Sequence, residues 1–193
     1  MSGKKDQTMF AERDVVVLVG SLRKASINLK LAKVLQAIAP AGLRLDILPI
    51  GDLPLYNQDL DTEAPPSTWV AFRDRVHRSD AVLFVTPEYN RSLPAALKNA
   101  VEVGSRPYGK SVWENKPGAV TGASPGLLGG SAAALHLRQV LVNVNVAVLP
   151  QPEVYLSGAD KLIDEAGSFS NDGTKAFLGN FLSAFGAWIE KLA

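Results

Sequence analysis

Short apolar runs alternate with amphipathic segments along almost the whole chain, and this alternation constrains the fold more than any other feature. Residues 14–20, 81–86 and 118–122 are nearly continuous apolar runs, which is typical of strands buried on both faces of a sheet. Helical spacing of apolar residues, or helix start and stop signals, mark residues 27–39, 67–79, 93–104, 131–143 and 173–192. This order predicts an α/β domain with a parallel sheet and helices on both faces.

Two further segments complete the predicted sheet. Residues 43–50 alternate apolar and polar side chains up to Pro49, which indicates an edge or near-edge strand, and residues 144–149 with 154–156 supply the last strand. Residues 51–68, which are rich in Pro, Asp and Asn, are predicted to form a long loop. Five parallel strands in the order 2-1-3-4-5 form a flavodoxin-like three-layer sandwich. We predict one such domain over residues 14–193, preceded by a flexible tail over residues 1–13.

Composition excludes several classes of function. A formal net charge of +1 gives no electrostatic basis for binding nucleic acid or a membrane surface. The chain has no cysteine, and its two histidines, His77 and His136, lack metal-ligand spacing, so we predict no disulfide, thiol catalysis or metal site. Residues 1–14 lack the apolar core of a signal peptide, and no apolar run approaches the roughly 18 residues of a membrane span. The expected location is the cytoplasm.

The loop after the first predicted strand, residues 20–28, carries polar groups suited to a dianionic phosphate. Ser21 and Ser26 supply hydroxyls, Asn28 an amide and Arg23 a guanidinium that can bind phosphate bidentately. A helix that begins near Ser26 adds the backbone N–H groups of Ser26, Ile27 and Asn28 at its positive end. We call residues 20–28 the phosphate loop. An ordinary serine N-cap beside a surface arginine is the alternative interpretation.

The loop after the third predicted strand, residues 86–90, suits a planar ring because it combines backbone groups with the aromatic side chain of Tyr89. We call it the ring loop. In the order 2-1-3-4-5, it lies beside the phosphate loop at the switch point of the sheet. The chain lacks G-x-G-x-x-G and a P-loop, and Pro49 and Ile50 stand where a dinucleotide site has its acidic ribose partner. The two loops therefore predict a mononucleotide, and FMN rather than NAD as the resident cofactor.

A third loop, residues 122–130, matches the G-x-S-x-G pattern of serine hydrolases at Ser124. Pro125 has no N–H for an oxyanion hole, and no histidine follows His136, so we reject a hydrolase. The glycines of this glycine loop would instead let the backbone approach a flat ligand closely. A simple glycine turn between a strand and a helix is the alternative.

Three motifs occur in the chain in a fixed order. They are Gly-Ser-Leu-Arg at 20–23 with Ser26 and Asn28, Pro-Glu-Tyr-Asn at 87–90 with Leu-Lys-Asn-Ala at 97–100, and Ser124 with glycines at 126, 129 and 130. With these motifs the chain resembles the NADPH-dependent FMN reductases of the chromate and quinone reductase type, over about residues 14–156. The resemblance implies non-covalent FMN, with its phosphate on Ser21, Arg23, Ser26 and Asn28, its ring on Pro87, Glu88, Tyr89 and Asn90, and its pyrimidine end near Ser124 and Gly126.

The resemblance also implies an activity. Hydride would pass from NADPH or NADH to flavin N5, and the electrons would then pass to a small acceptor such as a quinone or chromate. Because the chemistry belongs to the cofactor, no catalytic acid or base is predicted. A homo-oligomer, dimer or tetramer, is expected. Arg106, Tyr108 and Trp113 are candidate interface residues, and the alternative is that they cap the end of the sheet within one chain. A flavodoxin-like electron carrier is the alternative function, although such carriers tend to be strongly acidic and this chain is nearly neutral.

Overall fold

A parallel sheet between two layers of helices forms the protein. The computed structural model describes residues 12–164 and 172–193. The strands are β1 (Arg13–Val19), β2 (Leu43–Ile47), β3 (Ala81–Thr86), β4 (Pro117–Ala123), β5 (Ala147–Val148) and β6 (Val154–Leu156). The helices are α1 (Ile27–Ala37), α2 (Ser67–His77), α3 (Ala95–Gly104), α4 (Ser131–Asn143), α5 (Ala159–Leu162) and α6 (Asp172–Leu192). The predicted long loop contains one turn of 3₁₀ helix at Gln58–Leu60.

The strand order β2-β1-β3-β4-β5 confirms the flavodoxin-like topology predicted from the sequence. The strands are in parallel register, so that Val15 pairs with both Leu45 and Ala81, and Val85 pairs with Thr121. All six residues of β3 are buried, because neighbouring strands and both helical layers cover it. This double burial explains the continuous apolar runs.

The predicted last strand is divided into two short strands, and the sheet therefore has a sixth strand beyond the five predicted. β5 pairs with Pro117 and Gly118 of β4, whereas β6 pairs with residues 121–123 of the same strand. Between them lie Pro150 and Pro152, which have no N–H to donate to a strand ladder. The chain leaves the edge of β4 at these prolines and rejoins it further along.

Two clusters of buried side chains lie on opposite faces of the sheet. The first packs α1 and α6 against one face and includes Leu35 and Phe185. The second packs α2, α3 and α4 against the other face and includes Trp69 and Trp113. Trp113, a candidate interface residue in the sequence, is instead fully buried, and its Nε1 donates to the carbonyl oxygen of Val101 at 2.8 Å.

The predicted tail over residues 1–13 lies mainly outside the described residues, and β1 begins at Arg13. The last helix, predicted over residues 173–192, covers Asp172–Leu192. Within the described part of the chain, no helix is both long and apolar enough to cross a membrane.

Candidate functional site

The phosphate loop, the ring loop and the glycine loop meet at one edge of the sheet, because β1, β3 and β4 are neighbours and all three loops follow their carboxyl ends. One open pocket lies between them. It is lined by the predicted residues Ser21, Arg23, Ser26, Ile27, Asn28, Pro87, Glu88, Tyr89 and Ser124, together with Ala123 and Pro125, which were not predicted. The structure therefore brings most of the predicted site residues together, while Asn90 and Gly126 are not among the residues that line this pocket.

The start of α1 provides an anion site within the phosphate loop. Ser26 is the N-cap, and its Oγ accepts the backbone N–H of Leu29 at 3.2 Å, which leaves the hydroxyl hydrogen for a ligand. Among the described residues, the backbone N–H groups of Ile27 and Asn28 have no protein acceptor. Arg23 is exposed and forms no ion pair with any described residue. Unpaired N–H groups at a helix N-terminus favour a bound phosphate.

The side chain of Asn28 makes a structural contact that the sequence did not reveal. Its Nδ2 donates to the carbonyl oxygen of Ala123 at 2.9 Å, and its Oδ1 accepts the N–H of Ala123 at 3.0 Å. The residue is only 3% exposed. The amide therefore ties the start of α1 to the end of β4, and Asn28 has its backbone N–H and one remaining amide hydrogen for a ligand.

The phosphate loop and the ring loop are in direct contact. The Gly20 N–H donates to the carbonyl oxygen of Val85 at 2.9 Å. A Cβ on Gly20 would lie 2.7 Å from Cγ of Pro94 and 3.0 Å from Cδ of Pro87, so only glycine allows this approach. The hydroxyls of Ser21 and Tyr89 form a hydrogen bond of 3.2 Å between the loops.

The ring loop ends in a tight hairpin. Tyr89 and Ser92 exchange two backbone hydrogen bonds of 3.0 Å each. The two residues between them, Asn90 and Arg91, have φ values of 52° and 65°, as a type I′ turn requires. The hairpin fixes the loop backbone and leaves Tyr89 44% exposed, so its ring is accessible to a ligand.

Glu88 fastens the ring loop to α4, which sequence reasoning missed. Its Oε2 accepts the backbone N–H groups of Ala132 and Ala133 at 3.0 and 3.4 Å, in the first turn of the helix. The N-cap of that helix, Gly130, has no side chain to do this. From the sequence alone, a carboxylate in this loop is expected to face the ligand. The fold shows that it faces the N-terminus of α4.

The glycine loop owes part of its composition to packing rather than to a ligand. A Cβ on Gly122 would lie 2.7 Å from the carbonyl oxygen of Thr86, and one on Gly129, where φ is +59°, would lie 2.7 Å from the carbonyl carbon of Tyr155. These close contacts support the alternative interpretation, in which the glycines serve a turn between the strand and the helix. The Gly126 N–H donates to Oγ of Ser124 at 3.0 Å, so the Ser124 hydroxyl hydrogen is the group left for a ligand.

Two other chemistries find no support in this site. His136 bonds through Nδ1 to the Ser92 hydroxyl at 2.9 Å and not to Ser124, so the described residues show no hydrolase triad at Ser124. No group of His, Cys, Asp and Glu within residues 12–164 and 172–193 could hold a metal ion.

The groups present fit a phosphate beside a planar ring, since the anion site and the accessible Tyr89 ring line one pocket. Fold and site together define a flavodoxin-like protein whose switch-point pocket fits a mononucleotide. Residues 13–161 match the family model of the NADPH-dependent FMN reductases. The chain belongs to this family.

Relatives and solved structures agree with this assignment. The chain is 54% identical over 176 residues to a quinone reductase of Pseudomonas putida, covering 91% of this chain and 94% of the relative. It is 42% identical to a 2-hydroxy-1,4-benzoquinone reductase of Burkholderia sp, with 91% and 96% covered. It is also similar to the solved flavoenzyme NAD(P)H:(acceptor) oxidoreductase FerB of Paracoccus denitrificans, with a TM-score of 0.88, 45% identity and 93% and 98% covered. The family, the enzyme class and the FMN cofactor predicted from the sequence are confirmed.

Proposed function

We propose that this protein is an FMN-dependent NAD(P)H:quinone reductase. The overall reaction would convert NAD(P)H, a proton and a quinone into NAD(P)⁺ and a hydroquinone. When bound, the flavin supplies the redox chemistry by accepting a hydride and passing its electrons on. The observation that carries the proposal is the shared pocket, where an anion site at the start of α1 lies beside an accessible aromatic ring. The quinone is proposed because the similar proteins of Pseudomonas and Burkholderia are named for quinone substrates.

The phosphate of FMN would be held by groups that can still donate a hydrogen bond. These are the backbone N–H groups of Ile27 and Asn28, the hydroxyls of Ser21 and Ser26, and the guanidinium of Arg23. Ser21 can donate when the Tyr89 hydroxyl donates to its Oγ, as Ser26 can while its Oγ accepts from Leu29. The N-terminal end of α1 adds a partial positive charge. The backbone N–H groups of Ile27 and Asn28 are held in place by the helix, so this part of the site is preorganised.

The ring of FMN would lie on the ring loop, along residues 87–90, with its pyrimidine end toward Ser124 and Gly126. The hairpin holds the loop backbone in one conformation, so the ring would meet a surface that is already formed. The Ser124 hydroxyl retains its hydrogen and can donate it to a ring oxygen or nitrogen. The protein thus supplies orientation and hydrogen bonds, and no side chain is assigned a proton-transfer role.

The pocket is open to solvent, so the nicotinamide and the quinone would use it in turn. Alternating use of one site predicts ping-pong kinetics. The purified protein with FMN should oxidise NADPH in the presence of benzoquinone and no other protein, and double-reciprocal plots should be parallel. A protein that binds FMN but fails to oxidise NADPH directly would instead be an electron carrier.

Arg23→Ala tests the phosphate site. Loss of one charge-assisted hydrogen bond costs about 1.5–3 kcal/mol, which weakens FMN binding by about 10–150-fold. Lys24→Ala is the matched control, because Lys24 is an exposed neighbour that does not line the pocket. Titration of apo-protein with FMN measures both. If Arg23→Ala and Lys24→Ala had equal dissociation constants for FMN, Arg23 would be an ordinary surface residue with no part in binding the phosphate.

We further propose a homo-oligomer, supported by the exposed face of α4. Leu135 and Val142 are 53% and 71% exposed, and the one charged residue of the helix, Arg138, donates instead to the carbonyl oxygen of Leu149 at 2.9 Å. This face has no exposed Asp, Glu, Lys or Arg, and two large apolar side chains lie on it among the polar His136, Gln139 and Asn143, a mixture that suits a second copy of the same face. Leu135→Glu should lower the mass found by sedimentation equilibrium, and a monomeric mass for the wild type would contradict the proposal. Chromate as an acceptor and a cytoplasmic location stay predictions.

A further inference from the structure

We propose that Glu88 is a positioning residue that fixes the ring loop on α4 and, through its charge, lowers the reduction potential of FMN at this site. The inference rests on the proposed function, because it concerns the same FMN site. It assigns to one side chain two separable effects, a hydrogen-bonded contact and a negative charge.

The contact between Glu88 and α4 resembles a helix N-cap whose capping side chain comes from a distant part of the chain. Glu88 lies 44 residues before Ala132, yet its Oε2 accepts the N–H groups of Ala132 and Ala133. The Glu88 side chain is 12% exposed, and the nearby Arg91 guanidinium, at 3.4 Å, is 72% exposed and weakly placed to neutralise it. The main electrostatic partner of the carboxylate is therefore the positive end of α4.

A second contact joins the same hairpin to the same helix. Oγ of Ser92 lies 2.9 Å from Nδ1 of His136, which is one helical turn beyond Ala132 on α4. Glu88 and Ser92 flank the turn at Asn90 and Arg91, so both sides of the hairpin are attached to one helix. The position of the ring loop is consequently set by α4 as well as by β3.

The charge has a direction of effect that follows from its place. Glu88 lines the pocket, and the N-terminal end of α4 also points to this edge of the sheet. A flavin gains negative charge on reduction, so a positive helix end favours its reduced form, and a carboxylate that cancels this end disfavours it. Glu88 thereby makes the bound flavin a stronger electron donor to a quinone.

Three variants separate the contact from the charge. Glu88→Gln keeps an oxygen that can accept from Ala132 but removes the charge. Glu88→Ala removes both. Glu63→Gln is the control, since it removes one negative charge from an exposed position that does not line the pocket. For each protein we would measure the FMN reduction potential by dye equilibration, the FMN dissociation constant, and the melting temperature of the flavin-free protein.

Glu88→Gln should bind reduced relative to oxidised FMN about tenfold more tightly than the wild type, a rise in potential of about 30 mV for a two-electron couple. Its flavin-free melting temperature should fall less than that of Glu88→Ala, because the hydrogen-bond acceptor is kept while the charge at the helix end is lost. Glu88→Ala should weaken FMN binding by about five- to tenfold, as for the loss of one helix cap, and lower the melting temperature. Glu63→Gln should leave all three quantities unchanged.

An unchanged potential in Glu88→Gln with normal FMN binding would overturn the electrostatic effect, and an unchanged FMN affinity in Glu88→Ala would overturn the positioning effect. A potential raised equally in Glu63→Gln would overturn the assignment to Glu88. Failure of the wild type to bind FMN would instead reject the proposed function, so the two failures are distinguishable.

Discussion

Replacing Asn28 tests whether one buried amide holds the phosphate loop to the sheet. Its two hydrogen bonds, of 2.9 and 3.0 Å, satisfy the carbonyl oxygen and the N–H of Ala123, which is 2% exposed. These groups lie just beyond the last register pair of β3 and β4, Thr86 with Gly122. The amide thus takes the place of a strand partner at the end of β4.

The expected loss of stability in Asn28→Ala follows from these two hydrogen bonds. Each buried backbone group left unpaired costs about 1–3 kcal/mol, and the open pocket nearby admits water to them. We therefore expect a loss of about 2–4 kcal/mol in the free energy of unfolding. For a chain of this length, that corresponds to a fall in melting temperature of about 5–15 °C. Urea unfolding and a thermal melt measure the two quantities.

Gln36→Ala is the matched control on the same helix. Gln36 makes a single hydrogen bond of 2.8 Å to the carbonyl oxygen of Leu45 and is exposed, so its loss should cost about 1 kcal/mol or less. Asn28→Asp retains the acceptor but cannot donate to the Ala123 carbonyl, and should destabilise at least as much as Asn28→Ala. If Asn28→Ala and Gln36→Ala destabilised equally, the amide would not be replacing a strand partner.

Three further substitutions test other parts of the structure. Gly20→Ala should weaken FMN binding and cost about 1–3 kcal/mol of stability, because the new methyl would meet Pro94 at 2.7 Å; a crystal structure with both loops unmoved would contradict this. Arg73→Lys should cost about 1–3 kcal/mol by urea unfolding, since it breaks a bidentate pair, 2.9 Å in both bonds, with the 4% exposed Asp61 side chain. Burial raises the pKa of Tyr155 above 10.0, so the folded state holds its proton longer than the unfolded state and stability falls as the pH rises above 10.0. Tyr155→Phe should reduce this loss of stability in thermal melts taken at pH values above 10.0. An unchanged dependence of melting temperature on pH would contradict the prediction.

The fold could be predicted because it depends on patterns that are local in the sequence. The apolar runs of β1 and β3 indicate strands buried on both faces, and the helical segments between them require parallel connections. The division of the last strand was not predicted, although Pro150 and Pro152 were visible, because the apolar residues on both sides pair with the same strand, β4. Residues 144–149 and 154–156 together therefore have the composition expected of a single strand.

The candidate site could be placed by topology, but the direction of its side chains could not. Glu88 and Asn28 are polar residues at the switch point, and from the sequence both are predicted to line the cofactor site. In the structure they bind backbone groups 44 and 95 residues away in the chain. Contacts over such distances leave no periodic signal, whereas the Ser26 N-cap, which bonds three residues ahead, could be recognised directly.

The separation of the two buried clusters gives the protein a built-in optical probe of each face. Of its three tryptophans, Trp69 and Trp113 belong to the cluster under α2, α3 and α4, whereas Trp188 packs beside the cluster under α1 and α6. The Nε1 of Trp188 donates to the carbonyl oxygen of Ala147 at 2.8 Å, so its emission reports on the docking of the last helix against β5. In a Trp188→Phe variant the intrinsic fluorescence comes from one face alone. Comparing its denaturation curve with that of the wild type shows whether the two layers of helices detach from the sheet together or in sequence.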